Sequence, residues 1–178
     1  MHGILLKGLK EFVVETYDRS TWDEIRDEAP VERKVYLPIE TYDDGELTAL
    51  VEAAATVTGE STDHLLDAYG RSVAGRLLST YDNVLDDDWT MVDLLLNANE
   101  RVYGTLRQQN PKMNPPQLDC RQVDANKVLV GYQSPRKLCS VAKGVIRGVG
   151  ERYGQPVDVT EGQCMHDGAD YCEFVVTF

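Results

Sequence analysis

The sequence predicts an α+β domain, and three observations carry that prediction. Apolar residues recur at helical spacing through the first two thirds of the 178 residues, strand-like alternation takes over after Pro116, and one more helical stripe separates the later strands. The expected architecture is a helical N-terminal part packed on a small, mostly antiparallel sheet with one covering helix. A chain of this length buries a core without disulfide or metal staples, and no internal repeat or long linker divides it. Residues 1–178 are therefore expected to form one domain.

Each element has its own signal. Ile4, Leu5, Leu9, Phe12 and Val13 form an amphipathic stripe opposite Lys7, Lys10 and Glu11. A shorter helix from Trp22 to Ala29 follows Ser20 and Thr21, which supply cap oxygens, and Pro30 and Pro38 bracket an irregular stretch. Leu47, Leu50, Val51, Ala54 and Val57 stripe the next helix, stopped by Gly59. Ser61 or Thr62 caps a helix carrying Leu65, Leu66, Tyr69, Val73, Leu77 and Leu78. The triple acid Asp86–Asp88 suits the positive end of a further helix, expected to run from Trp89 to about Arg107 and to end before the broken stretch 110–116. Leu118–Val123 and Val128–Tyr132 read as a hairpin around residues 124–126. Leu138, Val141, Ala142, Val145, Ile146 and Val149 stripe the covering helix, and Val157–Val159 and Phe174–Phe178 read as two further strands.

Composition excludes several functions. With 18 Lys+Arg against 30 Asp+Glu the net charge is −12, and no basic patch is dense enough to hold nucleic acid or anionic lipid through phosphates. No apolar run approaches the roughly 20 residues of a membrane span. Met1–Lys7 lacks the basic region and the cleavage site of a signal peptide, so a cytoplasmic protein is expected. In that reducing compartment Cys120, Cys139, Cys164 and Cys172 read as thiols or metal ligands rather than disulfides. No nucleophile–base pair, glycine-rich phosphate loop or pair of carboxylates points to an enzyme. Of the three histidines, His64 reads as exposed in the first turn of its helix and His2 as part of a flexible end.

Two constellations remain. Tyr132, Ser134 and Arg136 alternate along an extended segment, so a phenol, a hydroxyl and a guanidinium project to one side, a set suited to carboxylates. The competing reading is that Ser134 caps a helix opened by Pro135 and that Arg136 is a solvated charge. Cys164 and Cys172 flank a turn through Asp167-Gly168 that brings both sulfurs together, with Cys139 on the helix above. Three thiolates and one more ligand, Glu161 or His166, would make a tetrahedral zinc site; the alternative is a set of buried thiols. Cys120 stands apart and reads as structural.

The Tyr-x-Ser-x-Arg triplet after a strand resembles the haem-propionate clamp of the H-NOX family, the haem nitric oxide/oxygen-binding sensor domains. Met1 and Gly3 at the start, Trp22 after the first helix, Tyr42-Asp43-Asp44 before the third, Tyr69-Gly70 and Pro115-Pro116 fit the same pattern, and the resemblance spans essentially the whole chain. It implies a helical subdomain over about 1–60 and, over about 61–178, the haem-site helices with the sheet. It further implies haem b between them, with propionates held by Tyr132, Ser134 and Arg136, with Pro116 pressed on the macrocycle, and with Leu5, Leu9, Val73, Leu77 and Val141 lining the distal side. Val141 stands where O₂-holding members resemble one another in offering a tyrosine, so the resemblance implies NO or CO rather than O₂ as ligand.

One departure is decisive for chemistry. In the family a histidine thirteen residues ahead of that proline holds the iron, and here that position is Tyr103; Asn99, one turn earlier, is the other side chain on that face. Tyrosine holds haem iron in catalase. Zinc-bearing members are similar at Cys139, Cys164 and Cys172, with a histidine where this chain has Glu161. The expected function is a stand-alone haem-based NO sensor signalling to a separate chain, such as a histidine kinase or a cyclic-nucleotide enzyme, since no effector domain follows Phe178. The alternatives are a haem-free zinc–cysteine redox sensor and, from the cysteine spacing and Phe174, a small-molecule module resembling vinyl-reductase-type domains.

Overall fold

Helices dominate the first hundred residues. The computed structural model describes residues 1–109 and 114–178. Helix α1 (Gly3–Thr16) lies on α4 (Thr62–Thr80), with α2 (Arg19–Glu28) and α3 (Gly45–Thr58) packed beside it. The stripes anticipated in the sequence become one core: Leu6, Leu9, Phe12, Trp22, Leu47 and Tyr69 are all buried in it. Tyr69 is fully buried and its hydroxyl donates to the Leu5 carbonyl at 2.8 Å, which ties α4 to α1 without leaving a buried polar atom unpaired.

Side-chain caps open α2, α4 and α5 (Met91–Asn97). Ser61 Oγ accepts from His64 N, and Gly59, at φ 77°, closes α3 in the left-handed region. Two expectations about caps are corrected. Asp18, rather than Ser20 or Thr21, caps α2: it stands just before the helix, which already includes both hydroxyls, and its carboxylate accepts from the Thr21 amide at 2.7 Å. Thr90 and Asp93 form a reciprocal capping box at the head of α5, so the Asp86–Asp88 run precedes the helix instead of starting it.

The long helix expected over Trp89–Arg107 is three pieces. Helix α5 (Met91–Asn97) passes into a π-helical segment, Ala98–Val102, and then into α6 (Tyr103–Gln109). A π segment inserts an extra residue per turn and turns the side chains that follow it. Tyr103 is the first residue after it. Of the expected break at 110–116, residues 110–113 lie outside the described residues.

The sheet is fully antiparallel in the order β1-β2-β4-β3, with β1 (Gln117–Asp124), β2 (Lys127–Gln133), β3 (Asp158–Gln163) and β4 (Cys172–Thr177). Val128, Val130 and Tyr132 alternate onto its buried face, paired with Val176, Phe174 and Cys172. With α5, α6 and α7 (Cys139–Arg152) they form a second buried apolar cluster. Helix α4 feeds both clusters, giving Leu65 and Val73 to the first and Ala74 to the second.

The tight joint between these parts is α4 against α7, where glycines let two backbones touch. A Cβ at Gly144 would stand 2.0 Å from the Asp67 carbonyl oxygen, and one at Gly70 would stand 2.3 Å from that of Val141. Gly144→Ala should therefore lower stability by about 1–3 kcal/mol through overpacking. A denaturant titration should show an earlier midpoint with unchanged slope; an unmoved midpoint would show that the helices can part at no cost.

Candidate functional site

Where α4 and α7 do not touch, the two clusters separate around a cavity of about 600 Å³. That volume lies within the range of cofactor and ligand pockets, roughly 300–1,000 Å³. Its wall is mostly apolar: Leu5 from α1, Ala74 and Leu77 from α4, Leu94 and Leu106 from α5 and α6, and Val141 and Ile146 from α7. Pro116 and Leu118 close it beside the first strand. Val73 and Leu9, expected among the lining residues, pack into the first core instead, one helical turn along from Leu77 and Leu5, which do line the cavity. No helix among the described residues is long and apolar enough to cross a membrane.

Tyr132, Ser134 and Arg136 meet at one corner of the cavity. Tyr132 is held by its alternation on β2 and by the Phe174 ring, with centroids 5.9 Å apart. Burial pushes its phenol well above the usual range, and Ser134 beside it offsets part of that. Ser134 is buried and caps no helix, because α7 begins only at Cys139; its Oγ accepts from the Arg136 amide at 3.3 Å. The extended turn Ser134–Lys137, ending in Lys137 at φ 49°, thus aims the triplet inward. Ser134 thus caps no helix, and the Arg136 side chain is mostly buried rather than solvated.

Arg136 also crosses the cavity. Its Nη1 donates to the Asn114 carbonyl at 2.6 Å, and its Nε lies 2.8 Å from Asp44 Oδ1 without the alignment of a hydrogen bond. Nε is buried and has no aligned acceptor among the described residues. Asp44 is free to face it because the neighbouring Asp43 takes the turn amide of Gly45 at 2.8 Å. Burial raises the Asp44 carboxyl, but Arg136 and the Met1 amine outweigh it and hold the group below the usual carboxylate range.

On another wall stands Tyr103. Its ring is enclosed by protein yet keeps part of its surface accessible, because it borders the cavity. Burial pushes the phenol up to about 12; Tyr81 and Cys120 push the same way, and Arg107 opposes them. Asn99, the other residue considered there, faces elsewhere. Its Oδ1 takes Leu118 N and Arg107 Nη2 at 3.4 Å, and it lines an adjoining, amide-rich hollow of about 730 Å³ that is open to solvent and shares Asn114, Pro115 and Ser134 with the cavity.

The cysteines gather below the sheet's buried face. The Cys139 and Cys172 sulfurs are 3.0 Å apart, Cys164 lies 3.7 and 3.9 Å from them, and a Glu161 oxygen completes a group within 4.8 Å. A tetrahedral zinc–thiolate site has sulfurs about 3.8 Å apart, which two of the three spacings match. Glu161 also bonds Lys143 Nζ at 2.8 Å. His166 is not part of the group: its Nε2 donates to the Lys137 carbonyl at 2.8 Å. Burial raises the Cys139 thiol well above the ordinary range and raises that of Cys164 as well, so these two sulfurs hold their protons near neutrality.

Sequence reasoning missed much of the cavity wall, three polar residues among it. Tyr81 continues the Ala74, Leu77, Leu78 stripe at helical spacing and could have been read from it. Asp44 was visible only as part of the Tyr-Asp-Asp run. His2, far from a loose end, is bridged to Thr41 and lines the cavity; no local pattern announces that.

A helical half and an antiparallel sheet thus enclose a cavity of about 600 Å³ with a tyrosine–serine–arginine corner. The chain belongs to the Haem-NO-binding family, whose model matches residues 2–161. Soluble guanylate cyclase gcy-31 of Caenorhabditis elegans is 24% identical over 163 residues, covering 90% of this chain and 23% of the relative. The chain thus spans about a quarter of that relative's length. An H-NOX protein from S. oneidensis, solved in its Fe(II)NO state, has 24% identity and a TM-score of 0.90, covering 99% of this chain and 98% of its own. The Fe(II) unliganded H-NOX protein from K. algicida has 20% identity and a TM-score of 0.88, covering 99% and 96%. These likenesses establish the H-NOX fold.

Asp44 titrates below its unfolded value, so its ion pair contributes stability above about pH 4 and loses it as pH falls through the folded value. Asp44→Asn should lower the melting temperature near neutrality and flatten its fall between about pH 6 and about pH 3. Parallel curves for variant and parent would contradict the pairing.

Proposed function

We propose that this chain senses a diatomic gas, NO before O₂, through haem b held in the cavity, and acts as a sensor rather than as an enzyme. The observation that carries the reading is the joint presence of the Tyr132–Ser134–Arg136 corner and the Tyr103 phenol in one cavity of about 600 Å³. The residues present fit the group: the wall is apolar, and Tyr132, Ser134 and Arg136 bring a phenol, a hydroxyl and a guanidinium to one corner that an acidic edge would occupy. A bound haem would supply an iron centre at which NO binds. Tyr132, Ser134 and Arg136 would hold its carboxylates, Pro116 would lie against the ring, and Tyr103 is the residue available to the iron.

Each side chain has a defined task in that scheme. Arg136 couples the corner to Asp44, which stands just before α3, so a shift at the corner reaches the helical part directly. Apolar Val141 and Leu5 offer no hydrogen-bond donor, which favours NO over O₂. Tyr103 replaces a neutral imidazole with a phenol that keeps its proton in the absence of a cation. A tyrosine ligand favours ferric iron, and this is the principal way in which the chain would differ from family members that carry the histidine. Output would pass to a partner, such as a histidine kinase or a cyclic-nucleotide enzyme.

A haemin titration followed by absorbance tests the reading. The parent should give a saturable one-to-one Soret band with a phenolate charge-transfer feature. Tyr103→Phe should lose that feature, and Tyr103→His should acquire an imidazole-type spectrum and bind NO once reduced. No saturable band in either the parent or Tyr103→His would overturn it.

The cysteine group supports a second role. We propose that Cys139, Cys164, Cys172 and Glu161 hold a structural zinc ion, whose release on thiol oxidation would loosen β4 and the loop before it. The purified protein should contain about one zinc per chain, and Cys164→Ser or peroxide should lower it. Metal content indifferent to both would refute the site.

A further inference from the structure

The cavity carries a titratable group that neither the clamp nor the phenol accounts for. His2 begins the chain's first helix, lines the same cavity, and contributes no side-chain cap to that helix. Its Nδ1 is buried and has no hydrogen-bond partner among the described residues. The backbone bridge between His2 and Thr41 pins it beside the segment Thr41–Asp44. Through Asp44, that segment reaches Arg136. An unpaired buried nitrogen at this position is costly unless a ligand completes it.

The charges around it define what that ligand atom should be. On its own element stands the Met1 amine, 2.5 Å from Asp44. Asp43, Asp44 and Tyr42 from the next segment and Arg136 from the turn before α7 line the same cavity. Burial and the Met1 amine both lower the imidazole's affinity for protons, so it is neutral near pH 7 when nothing is bound. An anion beside Nδ1 reverses that preference, since an opposite charge within a few ångströms favours the charged form.

Building on the haem reading above, we infer that His2 is a further donor at the carboxylate corner of this cavity, taking up one proton as an acidic group of the ligand settles beside its Nδ1. Proton uptake on binding makes affinity fall as pH rises. The corner would then recognise its ligand's carboxylates in two ways, by the permanent charge of Arg136 and by an acquired charge on His2.

Metal-free protoporphyrin IX tests this without involving the iron ligand. Its affinity for the parent and for His2→Gln should be measured by fluorescence at about pH 6 and about pH 8. Glutamine keeps a neutral donor and cannot titrate, and the porphyrin's own ionisation cancels in the ratio. The parent's advantage over the variant should grow about tenfold on going to the lower pH, and the dimethyl ester should show no such change. Equal melting temperatures of the two ligand-free proteins establish that the variant folds. A constant ratio, or an ester that behaves like the acid, overturns the inference and leaves the haem reading standing. So does a porphyrin that fails to bind where haemin binds. Failure of both to bind overturns the haem reading with it. A haemin spectrum altered by His2→Gln in the manner of a lost iron ligand would assign His2 to the metal and also overturn the inference.

Discussion

The structure depends on one packing constraint: two apolar clusters are drawn together by a single close joint and kept apart everywhere else. Protein interiors pack to a density near 0.74 with few voids larger than a water molecule. A cavity of about 600 Å³ between buried clusters is an exception that the sequence maintains on purpose-built walls. Glycines at positions 70 and 144 bring α4 and α7 to backbone contact, and that contact fixes where the remaining surfaces diverge. The only charged span across the resulting gap that reaches its carboxylate corner is Arg136 to Asp44, among the described residues.

From that constraint the division of chemistry follows. The wall of the cavity is apolar, Tyr132, Ser134 and Arg136 meet at one corner, and Tyr103 stands on another side; in the proposed reading these would take a flat hydrophobic body, its acidic groups and its metal. A neutral imidazole at that position would bind iron without losing a proton, whereas a buried phenol must give one up. The chain keeps the family's architecture, and under the proposed reading Tyr103 would stand where the family's metal anchor is expected.

Much of this was legible in the sequence, for identifiable reasons. Helix stripes such as Leu47, Leu50 and Val51, and the alternation Val128, Val130, Tyr132, report burial directly because their periods match the elements they form. The Tyr-x-Ser-x-Arg corner and the meeting of three cysteines were readable for the same reason: two-residue periodicity and a short return of the chain fix neighbours locally. What failed was what depends on distant parts. The π segment before Tyr103 leaves no periodic trace in a short apolar run. Val73 carries the same apolar signal as a lining residue, and only the position of α1 shows that it faces the first core. His166 and Glu161 were equivalent candidates by composition, and the Lys137 carbonyl decides between them. His2 sits at the cavity because residue 41 happens to pair with it, a contact no local pattern encodes.

Amide hydrogen exchange with and without haemin tests the central claim most directly, because it asks whether one ligand touches both parts at once. The account predicts new protection on both sides of the cavity, at the start of α1 and residues 41–44 on one side, and at α6 and residues 132–138 on the other. Protection confined to one side, or to the solvent-open hollow around Asn99 and Gln117, would contradict it.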